Sequence, residues 1–227
     1  MQLNGKFQRQ FAVSCAALSL CLALPAQAVK FPSAGDRGAP ARTTGGGTRG
    51  EQCEDIGAQA EWPLRALVPA NNVSTFSAKQ ATLWFQLEES LSGKAAEIYI
   101  KDRASNETVY EQRLAISALD SEGLFKVALP ETDASGALLL ATDREYYWEF
   151  SVICDANNRA RDYALQGWMQ RVGVEDELAN AIAPTQQQAE RYAAAGLWQE
   201  TLEATLALKP AQPLLWAELL LSVGLSE

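Results

Sequence analysis

The stretch of the chain best suited to binding an anion is GDRGAPARTTGGGTRG, residues 35–50. Arginine offers paired N–H donors that fit a carboxylate or a phosphate, and successive glycines can form a backbone nest whose N–H groups converge on an anion. Phosphate-binding loops instead place Lys-Ser or Lys-Thr after the glycines and follow a strand. A linker, or a segment whose arginines pair with acids of the same chain, is the other interpretation. The candidate residues for binding a partner or an anion are Arg37, Arg42, Arg49, Gly45, Gly46 and Gly47.

Carboxylates are the second set of residues that could do chemistry. A glycosidase needs two of them about 5 to 10 Å apart, one on each side of the bond that is cleaved. Six carboxylates lie near the ends of predicted strands: Glu88, Glu89, Asp120, Glu122, Glu131 and Asp133. Because the sequence does not show which of them converge, a carboxylate-dependent hydrolase is kept as an alternative, and we assign no catalytic residue.

The chain contains no histidine. This excludes the Ser-His-Asp and Cys-His forms of nucleophilic catalysis, the imidazole proton shuttle and zinc sites built from histidine. Beyond the N-terminal signal described below, the cysteines are Cys53 and Cys154, and two alone cannot complete a structural zinc site. We therefore assign no metal ligand, expect no cofactor, and expect that the protein is not an enzyme.

The tryptophans could bind a sugar by stacking if they lay on an open face of the protein. In the predicted strand at residues 81–87, Trp84 points away from the face that carries Leu83 and Phe85. Trp84 is therefore the candidate surface aromatic, for a ligand or for a contact between domains, and a carbohydrate-binding module is a further alternative. Trp148 shares a face with Cys154, so we expect it in the core.

Residues 1–28 have the pattern of a secretory signal. Lys6 and Arg9 precede an apolar run, and Ala26 and Ala28 fit the small-residue rule for cleavage. The run is shorter than the about 20 apolar residues that a membrane-spanning helix needs. We predict export to the periplasm or the outside of the cell, cleavage near Ala28, and no transmembrane segment in the mature chain.

Charge and cysteine content constrain the exported chain further. Beyond residue 28 it has 17 basic and 28 acidic residues, a formal charge of −11. Nucleic acid is excluded as a main partner because its phosphates require a basic face. An even number of cysteines in an exported protein favours a disulfide between Cys53 and Cys154, with two buried thiols as the other interpretation.

Apolar and polar residues alternate through residues 60–174, as in β-strands. No helical pattern separates the strands, which favours an antiparallel β-sandwich of the immunoglobulin-like type. Residues 29–59 form a Gly/Arg-rich N-terminal segment without periodicity. The clearest strands are predicted at residues 81–87, 96–100, 108–114, 124–129, 146–154 and 161–172.

A helical appendage is predicted over residues 175–227, so the fold class is mainly β with C-terminal α. A short helix is expected at residues 175–182, and Thr185 with Gln188 forms a capping box that begins the next. Gly196 should end that helix, and Pro213 should begin the last one. The pattern looks like one tetratricopeptide-like helical hairpin, which must pack on the sandwich or on a partner to be stable.

Five segments carry a family resemblance, and they occur in this order: GDRGAPARTTGGGTRG, LRALVPANN, YYWEFSVICD, LQGWMQRV and YAAAGLWQETLEATLALKP. Together they resemble a secreted cyanobacterial family called domain of unknown function 928, over essentially the whole chain beyond the signal. The resemblance implies an exported protein with no established activity, and it supplies no catalytic residue. Such proteins are often encoded near proteins with tetratricopeptide and caspase-like domains, which would imply a role in an envelope or signalling assembly.

These patterns favour an exported, non-enzymatic interaction module of the cell envelope. We expect it to bind a protein partner through the Arg/Gly segment or the helical hairpin. A carbohydrate-binding module and a carboxylate-dependent hydrolase are the alternatives, and the oligomeric state does not follow from the sequence.

Overall fold

A computed structural model describes residues 28–32, 53, 63–117, 119, 122–175, 178 and 184–225. The strands of this part of the chain are β1 (Leu64–Ala66), β2 (Val73–Phe76), β3 (Thr82–Leu87), β4 (Ala95–Asp102), β5 (Thr108–Ala115), β6 (Leu124–Ala128), β7 (Arg144–Ile153) and β8 (Tyr163–Arg171). The helices are α1 (Gln186–Ala194), α2 (Trp198–Leu208) and α3 (Pro213–Ser222). The chain is therefore mainly β with C-terminal helices, as predicted.

The strands form two sheets that pack face to face. A three-stranded sheet has the order β1-β3-β6, and a five-stranded sheet has the order β2-β8-β7-β4-β5. The inward side chains of both sheets share one apolar core, in which Phe85 of β3 stacks on Phe150 of β7 with ring centroids 4.1 Å apart. This arrangement is a β-sandwich, because alternate residues of each sheet meet the other sheet.

The expectation of a purely antiparallel sandwich is wrong at one strand. β2 pairs in parallel with β8, and Val73 lies opposite Trp168. The other paired strands are antiparallel, so the five-stranded sheet is mixed. Alternation along a strand reports which residues are buried but carries no information about the direction of the neighbouring strand. β1 and β2 are also too short, at three and four residues, to show a recognisable alternation.

The helices form a third layer on the outer face of the three-stranded sheet, and this helical layer has its own core. Trp198, Leu202 and Trp216 pack there with Trp84 and Leu124, which point outward from β3 and β6. The predicted cap is confirmed, since the Thr185 hydroxyl accepts a hydrogen bond from the backbone N–H of Gln188 at 3.1 Å. The tetratricopeptide interpretation stays a prediction, and the helix expected at 175–182 lies outside the described residues except for Glu175 and Leu178.

Polar contacts join α2 firmly to the sandwich. The Glu200 carboxylate accepts hydrogen bonds from the backbone N–H of Ser77, the Ser77 hydroxyl and the N–H of Ala78, at 2.6 to 3.0 Å. The Gln199 side chain accepts a bond from the backbone N–H of Thr82 at 2.8 Å. The Trp198 indole donates to the Leu67 carbonyl, also at 2.8 Å. The helical layer is therefore packed on its own sandwich.

Replacing Glu200 with alanine is expected to lower the free energy of unfolding by about 2 kcal/mol, because it removes hydrogen bonds to a charged group and leaves the donors of Ser77 and Ala78 without that partner. Glu203→Ala, on the same helix, is the matched control. Its ion pair with Lys126 is exposed on both sides, so its loss should cost about 0.5 kcal/mol or less. Urea unfolding of both variants measures the difference, and equal losses would contradict this role of Glu200.

The predicted disulfide between Cys53 and Cys154 is confirmed. Cys53 is buried in the sandwich core, and the backbone N–H of Cys154 donates to the Asp162 carboxylate at 3.0 Å. Near the start of the described chain, Val29 and Phe31 are buried in the helical layer, where Phe31 meets the edge of Trp198 at a centroid distance of 5.0 Å. The chain is thus anchored in one core at Phe31 and in the other at Cys53.

Candidate functional site

The first predicted binding segment, the Gly/Arg-rich stretch at residues 35–50, lies outside the described part of the chain. Its six candidate residues lie outside the described residues: Arg37, Arg42, Arg49, Gly45, Gly46 and Gly47. Only the residues on either side, Phe31 and Cys53, are placed, and both are buried. The candidate surfaces below are therefore built from the sandwich and the helical layer.

The second predicted surface, the helical hairpin, has one covered face and one open face. On α3, Leu215, Leu219 and Leu220 are buried in the helical layer. Leu214 and Leu221 are 76% and 64% exposed, and they lie seven residues apart, which places them on one side of the helix two turns from each other. We call this side the α3 leucine face.

A helix that is apolar all round is normally covered all round. α3 contains a single charged residue, Glu218, yet the described part of the chain covers only its inner side. Leu138 is the remaining large apolar residue that is exposed in the described chain, and it lies apart from α3, between β6 and β7. Leu214 and Leu221 together form an apolar patch on one helix face, whereas Leu138 is exposed singly, so the α3 leucine face is a candidate interaction surface.

Trp84 does not form an open sugar-stacking surface. Its ring packs against the helical layer, its indole N–H is buried without a hydrogen-bond partner in the described chain, and the ammonium of Lys126 lies 5.3 Å from the ring centre. Trp84 therefore makes the other contact considered for it, a contact between the sandwich and the helices. The sequence showed which way it points from β3, but it did not show what covers that face.

A different aromatic surface lies on the outer face of the five-stranded sheet, the side away from the helical layer. Tyr99 of β4, Tyr147 of β7 and Trp168 of β8 form a row across three neighbouring strands. The rings of Tyr99 and Tyr147 meet edge to face at 6.5 Å, and Tyr147 lies directly opposite Trp168. We call this row the aromatic face. Each member is half-buried rather than enclosed.

Charged side chains frame the aromatic face. The Arg103 guanidinium stacks on the Trp168 ring at 3.4 Å and pairs with Glu145, and the Lys101 ammonium lies 5.2 Å from the centre of the Tyr99 ring. Such contacts stabilise a cation by the negative face of the ring. Sequence analysis missed the two tyrosines, although the alternation of β4 and β7 places them opposite the buried residues and could have identified them.

Tyr147 also belongs to a polar network on this face. Its hydroxyl donates to the Glu149 carboxylate at 3.2 Å, and the Gln166 amide donates to the same oxygen at 3.1 Å. Burial raises the pKa of the Tyr147 hydroxyl well above its usual value, and the negative charge of Glu149 raises it further. Tyr147 is thus a neutral hydrogen-bond donor at any physiological pH.

The carboxylates proposed for a hydrolase separate into two regions. Glu88 and Glu122 line one cleft of about 290 Å³, and Glu122 is ion-paired with Lys209 at the C-terminal end of α2.

The second region contains Glu131 and Asp133. Glu131 pairs with Lys79 at 3.6 Å, and Asp133 holds a turn in which hydrogen bonds from Ser135 lower the pKa of its carboxyl. Glu89 is exposed next to Glu88, and Asp120 lies outside the described residues. The positions of Glu122, Glu131 and Asp133 are therefore accounted for by structural partners within the chain.

A groove of about 340 Å³ adjoins that cleft, between α3 and the three-stranded sheet. Its walls carry Arg65, Gln86, Glu122 and Lys209, with Trp216 at the helical side. Arg65 donates to the Gln86 side chain, and Lys209 binds Glu122 and lies 5.0 Å from the Trp216 ring centre. The polar side chains of the groove therefore bind one another, Arg65 with Gln86 within the sheet and Lys209 with Glu122 between the helical layer and the sheet.

The described residues contain neither a cluster of metal-binding side chains nor a membrane-spanning helix. Among the residues the structure places, no three Cys, Asp or Glu side chains come together as a metal site would require. The same part of the chain contains no helix with the length and apolar character needed to cross a bilayer.

Comparisons with known proteins give a family and two distant structural similarities. The sequence model of the family described as Domain of Unknown Function (DUF928) matches residues 44–227. A DUF3244 family protein from Bacteroides vulgatus with an immunoglobulin-like β-sandwich fold is 17% identical, with a TM-score of 0.23, over 38% of this chain and 71% of that one. An LPMO from Kitasatospora papulosa is 11% identical, with a TM-score of 0.30, over 47% and 57% of the two chains. No curated protein matches the sequence significantly.

Proposed function

Because the chain belongs to the family of domain of unknown function 928, whose description assigns no activity, we propose a function from its own surfaces. The protein is an exported, non-enzymatic interaction module of the cell envelope, and it binds a protein partner through the α3 leucine face. The observation that carries the proposal is the exposure of Leu214 and Leu221 on one side of a helix whose other side is buried in the same chain.

The chemistry of this face suits an amphipathic helix of the partner. Leu214 and Leu221 lie two turns apart, so a helix packed along α3 would bury both between its own apolar residues. Glu218 lies between them and is exposed, which favours a Lys or Arg on the partner. This mode of recognition uses an apolar helix surface for affinity and the flanking charge for orientation.

Export is supported by the sequence and by the cross-link. The N-terminal 28 residues have the pattern of a cleaved signal, and disulfides persist in oxidising compartments outside the cytosol. Mass spectrometry of the protein recovered from the periplasm or the medium is expected to find a chain that begins at Val29 and contains the oxidised pair. A reduced protein confined to the cytosol would contradict export.

The α3 leucine face is tested by replacing Leu214 and Leu221 together with glutamine. Exposed substitutions of this kind are expected to change stability by about 0.5 kcal/mol or less each, so the fold should persist. Leu138→Gln is the matched control, since Leu138 is also exposed but lies away from α3. The wild-type protein is used to capture partners from envelope extract. A photo-crosslinking amino acid introduced at position 218 should then form a covalent crosslink to the captured partner.

The expected result is that the double variant loses this crosslinked partner, while the Leu138 variant keeps it. Capture of the same partner by the double variant, or crosslinks that form only elsewhere on the chain, would reject the α3 leucine face as the binding surface.

Carbohydrate binding is the second candidate function, and the aromatic face is the observation that favours it. Tyrosine rings beside hydrogen-bonding side chains suit the apolar and polar faces of a sugar. Glycan binding lost on Tyr99→Ala but kept on Trp84→Ala would support this function at the aromatic face. Absence of binding to any glycan by the wild type would remove it.

A further inference from the structure

β5 is an edge strand that the described chain leaves open. Thr108–Ala115 pairs with β4 alone in this part of the structure, and each of its eight residues is at least partly exposed. An edge strand presents a row of N–H and C=O groups that can pair with another strand. β5 has eight residues and no proline, and its pairing with β4 is interrupted once, at Val109, so that Tyr110–Ala115 is the regular part of the edge.

The sequence of β5, TVYEQRLA, is complementary to itself when it is reversed about Gln112. In an antiparallel pair centred on that residue, Glu111 lies opposite Arg113 of the second copy. Tyr110 lies opposite Leu114 of the second copy. Opposite charges and apolar pairs that face each other directly across two strands are stabilising, whereas like charges are destabilising.

The two charges at the centre of β5 lack ion-pair partners within the described chain. Arg103, Arg144 and Arg159 each pair with an acid, but no such contact involves Glu111 or Arg113 among the residues that the structure places. Arg113 lies opposite Glu97 of β4, whose carboxylate already binds Arg159 at 2.8 Å. The two central charges are therefore available to a neighbouring strand.

We propose that two copies of the chain associate by antiparallel pairing of their β5 strands about a two-fold axis at Gln112. The five-stranded sheets of the two copies then form one continuous sheet. This surface is separate from the α3 leucine face, so the inference does not depend on the proposed function.

The pattern of faces and charges selects this register. Glu111 and Arg113 point to the outer face of the sheet, and Gln112 points to the core side, as their β4 partners show. A shift of one residue would pair outer-face residues with core-side residues. A shift of two residues would place Glu111 opposite Glu111 of the second copy, or Arg113 opposite its own counterpart. The register centred on Gln112 avoids both faults.

Sedimentation velocity of the exported protein over a range of concentrations tests the proposal. Wild type is expected to show a monomer–dimer equilibrium. Arg113→Glu places like charges together twice in each dimer, and it should raise the dissociation constant by about tenfold or more. The double variant Glu111→Arg with Arg113→Glu restores opposite charges in the same register, and its dissociation constant should return close to the wild-type value.

Lys79→Glu is the matched control, since it also replaces a basic residue with glutamate and so changes the net charge by the same amount and sign, but it lies outside β5. It should leave the dimer unchanged. A monomeric wild type at every concentration would overturn the proposal, and so would a double variant that stays as weak as Arg113→Glu. If Arg113→Glu lowers the melting temperature, Glu111→Arg takes its place as the single variant in the same comparison.

Discussion

Loss of the disulfide between Cys53 and Cys154 is expected to lower the free energy of unfolding by about 4.7 kcal/mol, the chain-entropy value for a closed loop of about 100 residues. The two cysteines are 101 residues apart in the sequence. The bridge joins a residue that precedes the sandwich to the end of β7, so it removes many conformations from the unfolded chain. A loss of this size is a large part of the 5 to 15 kcal/mol typical of native proteins.

The measurement is urea unfolding of wild type and of the double variant Cys53→Ala with Cys154→Ala. Alanine is chosen because Cys53 is buried in the apolar core, where a serine hydroxyl would add a cost of its own. Wild type treated with a reductant should fall to a similar stability, and the double variant should not respond to the reductant. A change below about 1 kcal/mol would mean that the entropic account fails for this bridge.

Replacing Gly167 with alanine is expected to cost about 3 kcal/mol, the upper part of the range for overpacking a core. Gly167 lies in the middle of β8, opposite Trp148 of β7. A Cβ atom at this position would lie 2.3 Å from Cζ2 of Trp148 and 2.6 Å from Oδ1 of Asn72. The Trp148 ring is fully buried and cannot move aside without displacing the core. Glycine is required here for space.

Gly173→Ala is the matched control, because its added Cβ would find only Thr142, at 3.7 Å, an ordinary contact. This change should leave stability within about 1 kcal/mol of wild type. The cause of the loss at Gly167 is tested in a Trp148→Phe background, where the smaller ring should make the alanine less costly by about 1 kcal/mol or more. Equal costs in both backgrounds would show that Trp148 is not the obstacle.

The open faces could be predicted from the sequence only where a strand pattern was clear. Tyr99 and Tyr147 alternate with buried residues and belong to an outer face on that ground alone. Trp84 follows the same rule, yet it is covered, because the helical layer packs on its sheet and leaves the other outer face open. Alternation distinguishes the two sides of a strand but does not show whether another layer covers the outer one.

The pairing of strands was the second property that could not be predicted from the sequence. β2 has four residues and lies in parallel beside β8, and each residue of β2 is 95 positions from its partner in the chain. That contact depends on the path of the chain between the two sheets, which no short pattern encodes. The edge position of β5 has the same origin, although its self-complementary charges are visible in the sequence once the edge is known.

The sequence by itself determined the strands with clear alternation, the cap at Thr185, the end of a helix at Gly196, the pairing of the two remaining cysteines and the family. These depend on periodicity, on local hydrogen bonding and on a count of two, all of which are short-range or compositional properties. The tertiary structure alone decided that the helices cover Trp84, that Gly167 makes room for Trp148, and that the α3 leucine face and β5 stay open in the described chain. These features depend on which distant segments of the chain pack together. Burial of apolar surface is non-directional, so an apolar stretch of sequence does not specify which segment will cover it until the whole core is assembled.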